Sequence, residues 1–395
     1  MAHLSRWICA GLVLLVAAAS GAIGVGVGLS WSTVSPSLTA PVAHETVLGA
    51  FALATQRSVV STTGSGTAGD PISVGSYPAG IAYDSGKKEV FVANEDSSNV
   101  SVISAATDKV VASVVVGTEP VGVAYDPGKK EVFVANSGSE NVSVISDATN
   151  KVVATLNVGT APQGVAYDSG KKEVFVTNTG SDNVSVISDG TNKVVATVAV
   201  GTYPFGVVYD SGKKEVFVAN SGSKNVSVIS DATNKVVATV NVGTNPGLSA
   251  PEDAYDPAKN QVFVANYGTD NVSVISDATN KVVATVKVGD YPEGITYDSG
   301  KKEVFVANAG SASVSVISAA KDKVVATVTV GMEPTGVAYD PAKSEVFVTN
   351  YGSFTVSVIS DKTNKVVATP AAGTSPGGFV AVVRKADAGL EFAPV

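Results

Sequence analysis

Apolar residues along this chain come in short runs, and the runs return with a period of 42 residues. In one copy they read VGVAY (Val121–Tyr125), EVFVA (Glu131–Ala135), VSVIS (Val142–Ser146) and KVVATLNV (Lys151–Val158). The run VFVA is apolar at consecutive positions, which predicts a strand covered on both faces. The polar stretches between runs are DPGKK, NSGSEN, DATN and GTAPQG. Each is short and carries Gly, Asn, Asp or Pro, residues that supply positive φ, Asx turns or a preset φ. Connections this short join antiparallel neighbours, because a parallel pair needs a crossover of roughly a dozen residues or more. Each copy is therefore expected to be a four-stranded antiparallel meander.

The copies are counted by the glycine that closes each one: Gly75, Gly117, Gly159, Gly201, Gly243, Gly289, Gly331 and Gly373. The gaps are 42, 42, 42, 42, 46, 42 and 42 residues, which makes seven complete units. A small sheet with two apolar faces must stack on a neighbour at each side. An open solenoid exposes its first and last faces and needs caps, and no capping unit is visible. The expected fold is an all-β, seven-bladed β-propeller. The flanking runs PISVG (Pro71–Gly75) and GGFVAVV (Gly377–Val383) read as extra strands that cover or clasp the seam. Eight blades is the alternative, with Thr46–Thr62 supplying the missing strands.

Three segments lie outside the repeats. Residues 1–29 include 23 positions without a charge, Trp7 to Leu29. That is long enough to span a bilayer, and the small residues AAASG also suit a cleaved signal peptide. An N-terminal apolar helix, retained as an anchor or removed, is expected. Arg6 precedes it and the next Lys or Arg is Arg57, so the remainder is expected outside the cytoplasm, at the cell surface or secreted. Residues 30–69 read as a Ser/Thr/Pro/Gly-rich linker, 70–384 as the propeller and 385–395 as a tail.

Composition narrows the chemistry. The net charge is −8, which argues against a nucleic-acid partner. The two histidines, His3 and His44, and the single Cys9 all precede the repeats. The ring thus has no His-based triad, no His metal cluster and no Cys nucleophile. No cofactor is expected, and a metal requirement stays open.

The strand ends FVAN and FVTN, with PxGVAYD before and VSVIS after, resemble the YVTN-type propeller repeats of archaeal and bacterial surface proteins. The resemblance spans about residues 72–384. It departs where Phe91, Phe133, Phe175 and their equivalents replace the family's Tyr. It implies the propeller fold and a place among surface-layer-like proteins.

Strand alternation sends DSGKKE and SDATNK to one face of the ring, and GTxPxG and ANxGSxN to the other. The first face is nearly constant between copies and carries most of the lysines, with acids beside them that roughly cancel their charge. A weaker reading of that face is a lysine-studded surface turned to an anionic membrane. The second face is where copies diverge. Five tyrosines outside the repeated YD pair fall there, Tyr77, Tyr203, Tyr267, Tyr291 and Tyr351, joined by Phe205 and Phe354. So do eleven acids: Glu95, Asp96, Glu119, Glu140, Asp182, Glu252, Asp253, Asp270, Asp290, Glu293 and Glu333. Against them stands Lys224, leaving about −10 of formal charge. Tyr77, Glu119, Tyr203, Phe205, Tyr267, Tyr291, Glu293, Glu333, Tyr351 and Phe354 are the candidate binding residues. Aromatics beside carboxylates suit sugars or a cationic partner. The triplet NVS at Asn99, Asn141, Asn183, Asn225 and Asn271 forms N-glycosylation acceptors in an exported chain, or simply starts a strand after a turn.

These readings point to a non-catalytic surface propeller acting in adhesion or in the envelope layer, with an envelope polysaccharide or a surface protein as partner. The alternatives are a structural spacer, or an enzyme resting on acids such as Glu119, Glu293 and Glu333.

Overall fold

The computed structural model describes residues 58–369 and 383–384, apart from Val60, 64–66, 69–71, Ser85, 105–106, Asp108, 248–253, 341–343 and Phe354. The expected N-terminal helix lies outside the described residues, and none of those described forms a helix long and apolar enough to cross a membrane.

The repeats build seven four-stranded antiparallel sheets, the blades of a β-propeller. Blade 2 shows the plan: an inner strand Pro120–Asp126, then Glu131–Asn136, Asn141–Ser146 and an outer strand Lys151–Asn157. Its register pairs Glu131 with Asp126 and Ser146, and Asn136 with Asn141. Blades 1, 3, 4, 6 and 7 begin with inner strands at Pro78, Pro162, Pro204, Pro292 and Pro334. Blade 5 departs, its inner strand reduced to Ala254–Asp256 and preceded by an isolated bridge between Pro246 and Asn266. That is the copy with the four-residue insertion.

Why VFVA is apolar at every position is now plain. Its side chains alternate between the two faces of the blade, and in blades 2 to 6 each face meets another blade. Phe133 of blade 2 is fully buried and clusters with Val165, Val174, Val176 and Ile187 of blade 3. Phe91 of blade 1 does the same against Val123, Val132, Val134 and Ile145 of blade 2. Each buried Phe contributes roughly 2–3 kcal/mol by area alone. The inner strands also approach closely. A Cβ on Gly164 would stand 2.5 Å from the Phe205 carbonyl oxygen of the next blade, and Gly122 meets the Gln163 carbonyl more tightly still. Only glycine fits there.

A buried polar set closes each blade at the variable end. Asn136 is fully buried, and its Nδ2 donates to Asn141 Oδ1 at 2.7 Å and to Ser143 Oγ at 2.9 Å. Asn141 Nδ2 in turn donates to the Ser139 carbonyl at 3.1 Å. The equivalent bonds recur at Asn99, Asn183, Asn225 and Asn271. Each NVS asparagine thus opens the third strand with its carboxamide engaged in the fold.

At the other end, acids and a tyrosine lock neighbouring blades. Asp126 Oδ1 accepts the Gly128 and Lys129 amides at 2.7 and 3.2 Å, while Lys129 Nζ reaches the Asp189 carbonyl in blade 3 at 2.5 Å. Tyr167 Oη donates to Asp189 Oδ2 at 3.2 Å, and the Asp126 carboxylate of the preceding blade acts on the same hydroxyl.

Outside the blades, Ser58–Val59 pairs with Ile72–Ser73, and Ser61–Thr63 pairs with Thr67–Ala68 and, in parallel, with Val383–Arg384. The strands flanking the repeats therefore tie a segment before the repeats to one after them. They form two- and three-stranded sheets, and no eighth four-stranded blade is present among the described residues.

Candidate functional site

The variable face is built on one repeated position. Each loop that enters an inner strand places a residue just before Pro, or its equivalent, in the left-handed region: Tyr77, Glu119, Ala161, Tyr203, Asn245, Tyr291 and Glu333, with φ between 49° and 58°. The carbonyl of each accepts a backbone N–H from the loop after the second strand, as in Ser137 to Glu119 at 2.8 Å and Ser221 to Tyr203 at 3.0 Å. The same bond ties Tyr267 to Asn245 at 3.2 Å and Tyr351 to Glu333 at 2.8 Å. Left-handed residues also occur in the other turns of each blade. The conformation is therefore turn chemistry, and what singles out this position is that its side chain changes.

A glycine gives four of these side chains a floor. A Cβ on Gly222 would lie 2.8 Å from Tyr203 Cδ2, and one on Gly310 would lie 2.5 Å from Tyr291 Cδ2. Glu119 and Glu333 cross Gly138 and Gly352 in the same way. The side chains thus lie flat over a neighbouring backbone. Two of the tyrosines are further fixed from the preceding blade. Asp182 Oδ1 accepts the Tyr203 amide at 2.9 Å, and Asp270 Oδ1 accepts the Tyr291 amide at 3.0 Å.

The two tyrosines then differ. Tyr291 stacks on Tyr267, with centroids 4.9 Å apart and planes inclined by 24°. Tyr203 is 60% exposed, against 41% for Tyr291. Tyr203 is the more open aromatic platform, and Tyr267 with Tyr291 forms a two-ring stack.

The sequence candidates therefore sort by position. Tyr77, Glu119, Tyr203, Tyr291 and Glu333 are equivalent residues of their blades, and Tyr267 joins Tyr291. Phe205 and Glu293 occupy the second position of inner strands and are half-buried. Tyr351 stands where Tyr267 does, two blades away, and Phe354 lies outside the described residues. Three residues that support the site went unread. Thr177 Oγ1 donates to the Phe205 carbonyl at 2.8 Å, Thr179 Oγ1 donates to the Pro204 carbonyl at 2.6 Å, and buried Gln163 donates to Ser137 Oγ at 2.9 Å. The signal for Thr177 was the FVTN variant of FVAN, which adds a hydroxyl where most copies have Ala.

Among the described residues no group of three or more His, Cys, Asp or Glu could hold a metal ion. A cleft of about 280 Å³ between the outer parts of blades 3 and 4, lined by Val200, Asn225, Ser227 and Thr239, contains no titratable side chain.

No protein-family model matches the chain, and no curated protein matches it. The YVTN resemblance therefore rests on the repeat residues alone. Solved structures do match. The propeller is similar to hydrazine synthase of Kuenenia stuttgartiensis at 23% identity, over 72% of this chain and 95% of that one, with a TM-score of 0.60. It is also similar to the dihydro-haem d1 dehydrogenase NirN, solved in complex with DHE, at 15% identity. That match covers 82% of this chain and 74% of that one, with a TM-score of 0.68. At such identities the likeness carries the fold.

These matches correct the expectation of a non-catalytic adhesion or envelope propeller, and of a spacer. That expectation leaned on surface-layer repeats, to which no family model ties the chain, whereas both similar structures are named as enzymes. The statement that the chain is not an enzyme loses its support with it.

The haem in the second name is a poor fit here. The described residues include no His or Cys, two common axial ligands. A carboxylate-bearing macrocycle would also face the acids of this surface with Lys224 as one of few cations.

Proposed function

We propose that the chain is a propeller enzyme whose substrate site is the variable face of the ring, centred on Tyr203 and the Tyr267–Tyr291 stack. The substrate class is small, and polyhydroxylated or cationic rather than anionic. The observation that carries this is the exposed Tyr203 ring, laid over Gly222 with its amide held by Asp182. An aromatic fixed in this way offers its π-face to sugar C–H groups or to a cation, and adjoining carboxylates favour both over anions. Glu119, Glu293 and Glu333 are the acids available for proton transfer, and acid–base chemistry at a glycosidic or ester bond is the reaction type they fit. The repeat signature resembling YVTN-type proteins and the apolar N-terminus agree with an exported enzyme, anchored or secreted, that works on envelope-derived material.

The test is turnover by the full chain of a panel of neutral, cationic and anionic glycosides and esters, followed by mass spectrometry. Glu119→Gln, Glu293→Gln and Glu333→Gln are run singly beside Tyr203→Ala. Turnover of neutral or cationic members is expected, lost in at least one Gln variant and with a raised KM in Tyr203→Ala. Turnover confined to anionic members, or indifferent to all four changes, refutes the proposal.

A further inference from the structure

The invariant face holds its two signs of charge at different depths. The acids lie beneath: Asp84, Asp126, Asp168 and Asp298 are fully buried, and Asp147 and Asp189 nearly so. Glu89, Glu131, Glu173 and Glu215 are mostly covered and stand 3.3–3.9 Å from the first lysine of their own turn. The second lysine of each Gly-Lys-Lys turn lies outside them. Lys88, Lys130, Lys172, Lys214 and Lys302 are exposed, with left-handed backbones at φ 58° to 60°. The lysine opening each outer strand, from Lys109 in blade 1 to Lys365 in blade 7, is exposed as well. Counted along the sequence this face is near neutral, but a flat object approaching it meets lysines first.

The first lysines are drawn into the junctions: the ammonium groups of Lys87, Lys129, Lys171, Lys213 and Lys301 all reach a carbonyl in the next blade. The second lysines and those opening the outer strands are presented blade after blade across this face.

We propose that this face docks on an anionic lipid bilayer. A lysine array spread over seven blades suits a plane of headgroups, each lysine adding electrostatic attraction to anionic lipid. The opposite face, rich in described acids from Glu95 to Glu333, would be repelled, which sets the orientation. The apolar stretch 7–29 makes a bilayer the anionic surface that such a chain would meet first.

The probe is lysine acetylation of the full chain, read by mass spectrometry, with neutral phosphatidylcholine vesicles and with vesicles containing about one third phosphatidylglycerol. Vesicle co-sedimentation accompanies it. The variant replaces Lys88, Lys130, Lys172, Lys214 and Lys302 by Asn, the residue blade 5 carries at this position as Asn260, so the turn keeps a residue suited to positive φ. Anionic vesicles should protect the second lysines and leave Lys224 labelled. The five-Asn variant should lose about tenfold or more of the preference for anionic over neutral vesicles, and added salt should abolish it. Equal protection by both vesicle types, or protection of Lys224, overturns the proposal. So does equal protection by soluble polyphosphate, or concentration-dependent protection without vesicles, the mark of ring-on-ring stacking.

Discussion

Tyr297 donates its hydroxyl to Asp256 Oδ1 at 2.8 Å across the junction between blades 5 and 6. At the equivalent place in blades 2, 3, 4, 5 and 7 the tyrosine instead donates within its own blade, as Tyr125 does to Asp147 at 3.2 Å. The difference has a visible cause. Where those blades have Asp, blade 6 has Ala319, so its tyrosine turns wholly to the acid of the preceding blade. Blade 6 is thus a natural variant of the junction.

That variant predicts the outcome of Asp277→Ala. Tyr255 should turn to Asp210, whose carboxylate already acts on it, and stability should change by no more than about 1 kcal/mol. Tyr297→Phe leaves Asp256 without this donor and should cost roughly 1–3 kcal/mol. Urea unfolding of both variants checks the order. A larger loss for Asp277→Ala would mean that the second acid, and not the tyrosine, holds the blades together.

The paired acids also make stability depend on pH. Burial, together with the neighbouring carboxyl of Asp210, pushes Asp277 up to about 6, while Lys213 and Tyr255 oppose the rise. Asp147, Asp189, Asp231 and Asp361 are raised for the same leading reason, desolvation. A carboxyl whose folded pKa is raised keeps its proton in the native ring after the unfolded chain has released it. Its contribution is full below the ordinary carboxyl value of about 4 and declines as pH rises to about 6. The melting temperature should therefore be higher at pH 4.5 than at pH 7.5, and Asp277→Asn should reduce the difference. A melting temperature that stays level or rises over that interval rules this out.

Two glycines separate backbone crowding from side-chain crowding. Gly122→Ala drives a methyl into the Gln163 carbonyl of the next blade, and neither backbone can yield without parting the inner strands. The cost should be about 3 kcal/mol or more. Gly222→Ala meets Tyr203 Cδ2 at 2.8 Å and Thr202 Oγ1 at 2.6 Å, side chains with room to turn. It should cost about 1 kcal/mol or less while displacing the Tyr203 ring. Thermal melts beside Tyr203 fluorescence or NMR shifts would distinguish the two. Equal losses would mean that the inner strands are less closely packed than this geometry gives.

Much of this was legible in the repeats because strand, turn and core each impose a period. Phe133 and VFVA announced a doubly covered strand, and it is one. The changing loops named Tyr203 and Tyr291, and the structure sets them at equivalent positions. What stayed hidden were relations between copies. Nothing in the spacing of Asp182 and Tyr203 says that one caps the amide of the other, because that bond joins different blades. The charges of the lysine face seemed to cancel because a sequence records no depth. The functional reading failed for a different reason: repeat resemblance speaks for fold, and many chemistries share one fold.

The cap on Tyr203 yields the sharpest test of the site. Asp182 sits in blade 3, is exposed, and spends Oδ1 on the Tyr203 amide at 2.9 Å. Asp182→Ala should leave the ring folded, with a stability loss of about 1 kcal/mol or less, yet release the loop that carries the platform. Asp182→Asn retains an acceptor oxygen and should retain the cap while losing a charge. If Asp182 works by holding Tyr203 in place, the Ala variant should bind a ligand of this face about tenfold more weakly and the Asn variant about as well as the parent. If it works through its charge on a cationic ligand, both should weaken alike, and salt should erode the parent's affinity to the same level. Titration of the three proteins at low and at moderate salt separates these outcomes, and unchanged binding in all three would remove Tyr203 from the site.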